Sequence, residues 1–146
     1  MARGSGTVVN IASSGGVGDP HPYSTGYACS KAGVMRLTEG LAAEARGHGV
    51  SVFAVGPPAL DTQMTRFIVD DEGGRKWRPD FSKIFEEGRD HDPADIARFI
   101  VDLVSGRADG LTGRFFDPGR PIEDYLDDAK KIIENDLWTL RITGRT

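Results

Sequence analysis

Ser14, Tyr27 and Lys31 are the residues of this sequence whose types and spacing could do chemistry. Tyr27 and Lys31 stand four apart in a stretch that reads as helix, so both side chains leave the same face. Ser14 comes after the strand-like run Thr7-Val8-Val9-Asn10-Ile11-Ala12, where a loop begins. An unperturbed tyrosine titrates at about 10 and is a poor base at neutral pH. A cation within about 4–6 Å favours the phenolate. A phenol assisted in this way could give a proton to a carbonyl oxygen or take one from an alcohol. A serine hydroxyl could donate a hydrogen bond to the same oxygen and stabilise developing charge. On spacing alone, a lone Tyr-x-x-x-Lys reads first as an exposed tyrosine beside a solvated lysine, and Ser13-Ser14-Gly15-Gly16 could be only a flexible turn. The strand ahead of the serine favours the chemical reading, because open α/β sheets bind ligands at the carboxyl ends of their strands.

The elements that must position these residues are set by periodicity and punctuation. Thr7–Ala12 is apolar and β-branched, as a buried strand is. Residues 13–24 carry Gly15, Gly16, Gly18, Pro20 and Pro22 and form a loop. From about Thr25 to Arg46, Ala28, Met35, Thr38, Leu41, Ala42 and Ala45 recur at helical spacing, with Gly47 and Gly49 as the stop. Val50–Val55 is a second buried strand ended by Gly56-Pro57-Pro58. Strand, helix, strand is a βαβ unit with parallel strands.

Further along, Asp61-Thr62 caps a short helix through Phe67, and Gly73-Gly74 breaks the next segment. Trp77, Phe81 and Phe85, four apart with Pro79 at a helix start, suggest a short amphipathic helix. Asp92 at the N-cap and Pro93 at N1 start another, with Ile96, Phe99, Ile100 and Leu103 on its apolar face and Gly106 at its end. Leu111–Asp117 reads as a third strand, and Pro121 opens a last helix. The order is that of an α/β protein with a narrow sheet whose two outer edges need covering or pairing.

Composition excludes several classes. The 146 residues carry 22 acidic and 18 basic side chains, a net charge of −4, which argues against a nucleic-acid surface. The densest basic group, Arg75-Lys76-Trp77-Arg78, is flanked by acids and reads as a solvated loop. One cysteine, Cys29, rules out an internal disulfide and fits a reducing compartment; between Tyr27 and Lys31 it reads as a small packing residue. His21, His48 and His91 form no zinc pattern. No signal core or transmembrane run is present, so the expected location is cytoplasmic and no membrane partner is implied.

Val-Asn-Ile-Ala-Ser-Ser-Gly-Gly, then Tyr27-Ala-Cys-Ser-Lys31, then Val-Phe-Ala-Val-Gly-Pro-Pro-Ala-Leu-Asp-Thr-Gln-Met resembles the short-chain dehydrogenase/reductase superfamily, with the serine thirteen residues ahead of the tyrosine. Asp92-Pro93-Ala-Asp-Ile-Ala and Leu111-Thr-Gly113 are similar to that family's penultimate helix and last strand. The resemblance covers residues 5 to about 118. It implies a single partial Rossmann-like domain over 1–146, with 1–118 the catalytic half and 119–146 a C-terminal helix and tail. It implies NAD or NADP as cofactor and a small alcohol or carbonyl compound as substrate. Tyr27 would be the proton donor or acceptor, Lys31 would bind the nicotinamide ribose hydroxyls, and Ser14 would position the carbonyl. Pro57, Leu60 and Thr62 would contact the nicotinamide end. Residues 63–91 fall where the family has its substrate lid, so Met64, Trp77, Phe81 and Phe85 would line an apolar pocket; packing beneath a surface helix is the other reading. Ala28, Ala32, Gly33 and Gly40 would let another helix approach, and the resemblance implies a homo-oligomer.

Two departures bear on activity. Pro58 stands where the family usually has glycine, which restricts the turn. The family's Gly-x-x-x-Gly-x-Gly phosphate loop, its adenosine-selecting residue and its active-site asparagine do not appear in this sequence; Gly4-Ser-Gly6 is too short to replace the loop. Two expectations result. The chain is the C-terminal half of an NAD(P)-dependent oxidoreductase, truncated and weakly active or inactive alone, with an unmatched apolar face on the Val8–Ile11 strand. Alternatively it is a non-catalytic fragment serving as a binding or oligomerisation module.

Overall fold

The computed structural model describes residues 4–142. A three-stranded parallel sheet has the order β1 (Gly6–Ile11), β2 (Val50–Val55), β3 (Phe115–Phe116). Gly6 to Ile11 pair in register with Val50 to Val55, and Ala54 and Val55 pair with Phe115 and Phe116. The central position of β2 explains its composition: Val52 through Val55 are buried, so both faces are apolar. Among the described residues no strand pairs with the outer edge of β1. Val8 is 41% and Ile11 48% exposed, the unmatched apolar strand expected from the sequence.

Helix α1 (Thr25–Glu44) crosses from β1 to β2 and buries Met35, Thr38 and Ala42. Thr38 Oγ1 donates to the Val34 carbonyl and accepts from Asn10 Nδ2, both at 2.9 Å, which fixes α1 against β1. α2 (Gln63–Asp70), α3 (Glu72–Trp77) and α4 (Pro79–Glu86) form an excursion after β2. Its two stems meet where Leu60 bridges His91 and His91 N–H donates to the Ala59 carbonyl at 3.0 Å. α5 (Pro93–Leu103) starts as its sequence requires, with the Asp92 carboxylate accepting from Ala94 N–H at 2.8 Å. α6 (Ile122–Asp127) and α7 (Ala129–Glu134) come after β3. The larger core gathers Phe53, Phe99, Leu103, Leu111, Phe116, Ile122, Tyr125 and Ile132. Phe116 lies at its centre, 5.5 Å edge-on from Phe53 and 4.8 Å from Tyr125, centroid to centroid. Ala12, Met35, Ala54 and Phe115 form a second cluster under α1.

Several sequence expectations need correction. Gly73 and Gly74 do not break the chain but lie inside α3. Asp71 caps that helix, and Gly74 is required because any Cβ there would run into the Ile68 carbonyl. The third strand is only two residues long, because 109–111 form a 3-10 turn and Gly113 turns with φ +85°. The final helix is interrupted at Asp128, where the Asp124 carbonyl also accepts from Arg120 at 2.9 Å. Trp77 ends α3 and Phe81 and Phe85 lie on α4, so the three do not share a helix. Arg75, Lys76 and Trp77 are helical rather than loop. Cys29 is exposed, not packed.

The tail covers the outer side of β3: Phe115 N–H donates to the Trp138 carbonyl at 2.9 Å. Arg141 then binds Glu39 of α1 at 3.1 Å. Among the described residues no helix is long and apolar enough to cross a membrane, and no cluster of three or more His, Cys, Asp or Glu is placed to hold a metal ion.

Candidate active site

The site forms at the carboxyl ends of β1 and β2. Beyond β1, Ala12 N–H donates to the Val55 carbonyl at 2.7 Å, which keeps the chain beside β2 for one more residue. Ser13 then caps a 3-10 turn, Ser14–Gly16, by accepting from Gly15 N–H at 3.1 Å. This turn rests on α1. A Cβ at Gly16 would lie 2.7 Å from the Lys31 carbonyl carbon and from Ala32 N, and one at Gly15 would lie 3.5 Å from the Tyr27 ring. On its other side a Cβ at Gly56 would stand 3.2 Å from Ser14 N. Gly16 and Gly56 therefore let the serine turn approach the tyrosine-lysine face of the helix, while a Cβ at Gly15 would make an ordinary contact.

Tyr27 is 43% exposed and turned to the same space. Lys31 is half-buried one turn on, with Nζ 5.7 Å from the Tyr27 ring centroid and donating to the Ile11 carbonyl at 3.0 Å. An ammonium has three donors, so two remain for other acceptors. Beyond β2, Thr62 caps α2. It accepts from Thr65 N–H at 3.3 Å while Thr65 Oγ1 accepts from Thr62 N–H at 2.8 Å, a reciprocal capping box.

A cavity of about 670 Å³ brings Ser14, Tyr27, Lys31, Pro57, Leu60 and Thr62 together. Its far wall is apolar: Met64, Ile68, Phe81 and Ile84. Of the four aromatic or sulfur-bearing residues expected there, Met64 and Phe81 line it. Trp77 instead packs at a tilt against Tyr23, 4.7 Å between centroids, and Phe85 receives Arg66 at 5.6 Å. His21, Ser24, Arg78 and Asp80 also line the cavity, and no sequence signal pointed to any of the four. Arg78 donates to Ser24 Oγ at 2.6 Å and to Asp80 at 2.9–3.3 Å, and its guanidinium lies 4.8 Å from the Phe81 centroid. Arg78's hydrogen bonds hold the Asp80 carboxyl below the usual carboxylate range.

A parallel sheet carrying a serine, a tyrosine and a lysine at its carboxyl end matches known proteins in sequence as well as shape. The model of the short chain dehydrogenase family matches residues 1–73. The chain belongs to the short-chain dehydrogenase family. It is 38% identical to 4-formylbenzenesulfonate dehydrogenase of Comamonas testosteroni over 111 residues, 76% of this chain and 44% of that protein. It is 34% identical to 3-oxoacyl-[acyl-carrier-protein] reductase of Vibrio harveyi over 113 residues, 77% and 44% of the two chains. Among solved structures, levodione reductase superposes with a TM-score of 0.65 at 31% identity, covering 80% of this chain and 46% of the other. Actinorhodin polyketide ketoreductase, solved with NADPH, gives 0.67 at 27% identity over 80% and 46%. The chain thus spans less than half the length of these short-chain dehydrogenases. The α/β, Rossmann-type architecture is shared over the matched region.

Proposed function

We propose that this chain supplies the proton-transfer site of an NAD(P)-dependent oxidoreductase interconverting an alcohol and a carbonyl compound. One observation carries the reading: Ser14, Tyr27 and Lys31 line one cavity with Pro57, Leu60 and Thr62 at the carboxyl ends of parallel strands. The donor set fits the nicotinamide ribose end of the cofactor, because Lys31 Nζ keeps two donors beyond its bond to Ile11. When bound, the dinucleotide supplies or accepts hydride. Lys31 would hold the ribose hydroxyls, and the Pro57–Leu60 backbone with Thr62 at the start of α2 would bound the nicotinamide side. Ser14 Oγ donates to the substrate oxygen and holds it against Tyr27. Tyr27 Oη passes its proton to that oxygen in reduction and recovers it in oxidation. Hydrogen bonds that strengthen as charge builds on the oxygen lower the barrier.

The sequence carries no Gly-x-x-x-Gly-x-Gly loop to cradle a pyrophosphate, so low cofactor affinity and weak or no turnover by this chain alone belong to the same reading. Titration with NADH and NADPH, followed by nucleotide fluorescence, tests it; micromolar binding overturns the low affinity. In any active form, Tyr27→Phe abolishes turnover with folding intact, and a near-normal rate refutes the proton-transfer role. Self-association is also proposed: Gly33 and Gly40 meet nothing within 4 Å and Leu37 is exposed, leaving the outer face of α1 open to a second helix. Sedimentation showing a monomer at tens of micromolar would exclude it.

A further inference from the structure

We propose that Arg78 and Asp80 form the recognition point for the far end of the substrate, and that this end carries a hydroxyl group. The inference rests on the reading of the cavity as a substrate site and deepens it.

Arg78 lines the cavity with its side chain 20% exposed. A guanidinium has five N–H donors. Nε and one Nη2 proton go to Asp80, and one Nη1 proton goes to Ser24 Oγ. The remaining two have no partner among the described residues. Asp80, half-exposed beside it, accepts from no other side chain among the described residues and keeps lone pairs free. The pair therefore offers donors and acceptors side by side.

Only a group that both donates and accepts satisfies the two. A hydrocarbon end would strip water from two N–H groups and replace it with nothing. A carboxylate would accept from Arg78 but meet the Asp80 carboxylate within the same few ångströms. A hydroxyl accepts from Arg78 and donates to Asp80. Ser24, which receives Arg78, is the N-cap of α1, three residues before Tyr27. The body of the substrate would rest on Met64, Ile68, Phe81 and Ile84, which line the same cavity.

Three probes with one ring and different far ends test this on the full chain: cyclohexanone, 4-hydroxycyclohexanone and 4-oxocyclohexanecarboxylate, titrated by ligand-observed NMR at up to tens of millimolar. The hydroxylated probe is expected to bind about tenfold tighter than cyclohexanone, the effect of a hydrogen bond to a charged partner, and tighter than the carboxylate. Asp80→Asn removes the opposing charge, so it is expected to raise the carboxylate's affinity at least fivefold and place that probe first. This gain cannot come from misfolding. Equal affinities for the three probes, or an unchanged ranking in Asp80→Asn, overturn the proposal. If the ranking fails while Tyr27→Phe still weakens all three probes, the carbonyl end is read correctly and only the far end is wrong. If no probe binds, both readings fall.

Discussion

Gly16→Ala tests how the serine is held against the helix. A Cβ there would stand 2.7 Å from the Lys31 carbonyl carbon, 2.7 Å from Ala32 N and 2.9 Å from Lys31 Cβ. Two of these are backbone atoms in the middle of a helix, so the 3-10 turn must retreat instead. Forcing a methyl into a packed contact costs about 1–3 kcal/mol. Gly16 is not among the glycines with positive φ, so alanine recovers about 0.4–1 kcal/mol by restricting the unfolded chain. The net loss is about 0–2.6 kcal/mol, or a fall in melting temperature of up to about 8 °C. Scanning calorimetry measures it, with Gly33→Ala as control: that position is mid-helix with nothing within 4 Å, and alanine there should stabilise by about 0.5–1 kcal/mol. The retreat also draws Gly15 from beneath the Tyr27 ring, so the Tyr27 ring resonances should shift in Gly16→Ala and stay put in Gly33→Ala. A Gly16→Ala chain melting above the wild-type temperature, as Gly33→Ala should, would show that the turn does not sit on α1 as described.

Tyr125→Phe should cost about 1–3 kcal/mol in urea unfolding, because the Asp117 N–H that donates to Tyr125 Oη at 2.9 Å is left without a partner. Burial pushes the Tyr125 phenol up, so its contribution is complete below about pH 10 and fades as pH rises through the folded value; the phenylalanine variant should lack this alkaline loss. Asp80 has the opposite sign. Its carboxyl is held down by Arg78's hydrogen bonds, so the pair contributes fully above about pH 4 and is lost as pH falls through the depressed value. Amide exchange in residues 77–86 should accelerate over that interval and not in Asp80→Asn. Val8→Lys, on the outer edge of β1, should change stability by less than about 0.5 kcal/mol while suppressing edge-to-edge association; a larger loss would mean that the edge is covered in solution.

Much of the frame is written locally. Val50–Val55 is bounded by glycines and needs no partner to be recognised. Asp92-Pro93 states a helix start in two residues, and α1 shows its buried face as a regular row of Met35, Thr38 and Ala42. The serine, tyrosine and lysine are legible because a short strand, one loop and one helix carry them. Residues that meet across long separations leave no such trace. Arg78 and Ser24 are 54 positions apart, and neither the basic run around Arg78 nor the loop before Ser24 shows a periodicity that would join them. Gly74 misleads for the same reason. Read locally, Gly73-Gly74 ends a helix; in the fold, glycine is the only residue that can pass the Ile68 carbonyl at position 74. Leu111 makes the strand around Phe115-Phe116 look longer than it is, because its apolar side chain is buried by a 3-10 turn instead.

The bridge between Leu60 and His91 fixes both stems of the 63–90 excursion to each other, so the intervening residues begin and end at one point of the frame. Such a segment behaves as an exchangeable cassette. Its length can double at an entropic cost of only about 0.6 kcal/mol, and its sequence can change without moving β2 or α5. Arg78, Asp80, Phe81 and the apolar wall all lie within it, whereas Ser14, Tyr27 and Lys31 lie outside. On the proposed reading, substrate preference would drift, or be transplanted by grafting the excursion from a relative, while Ser14, Tyr27 and Lys31 remain untouched.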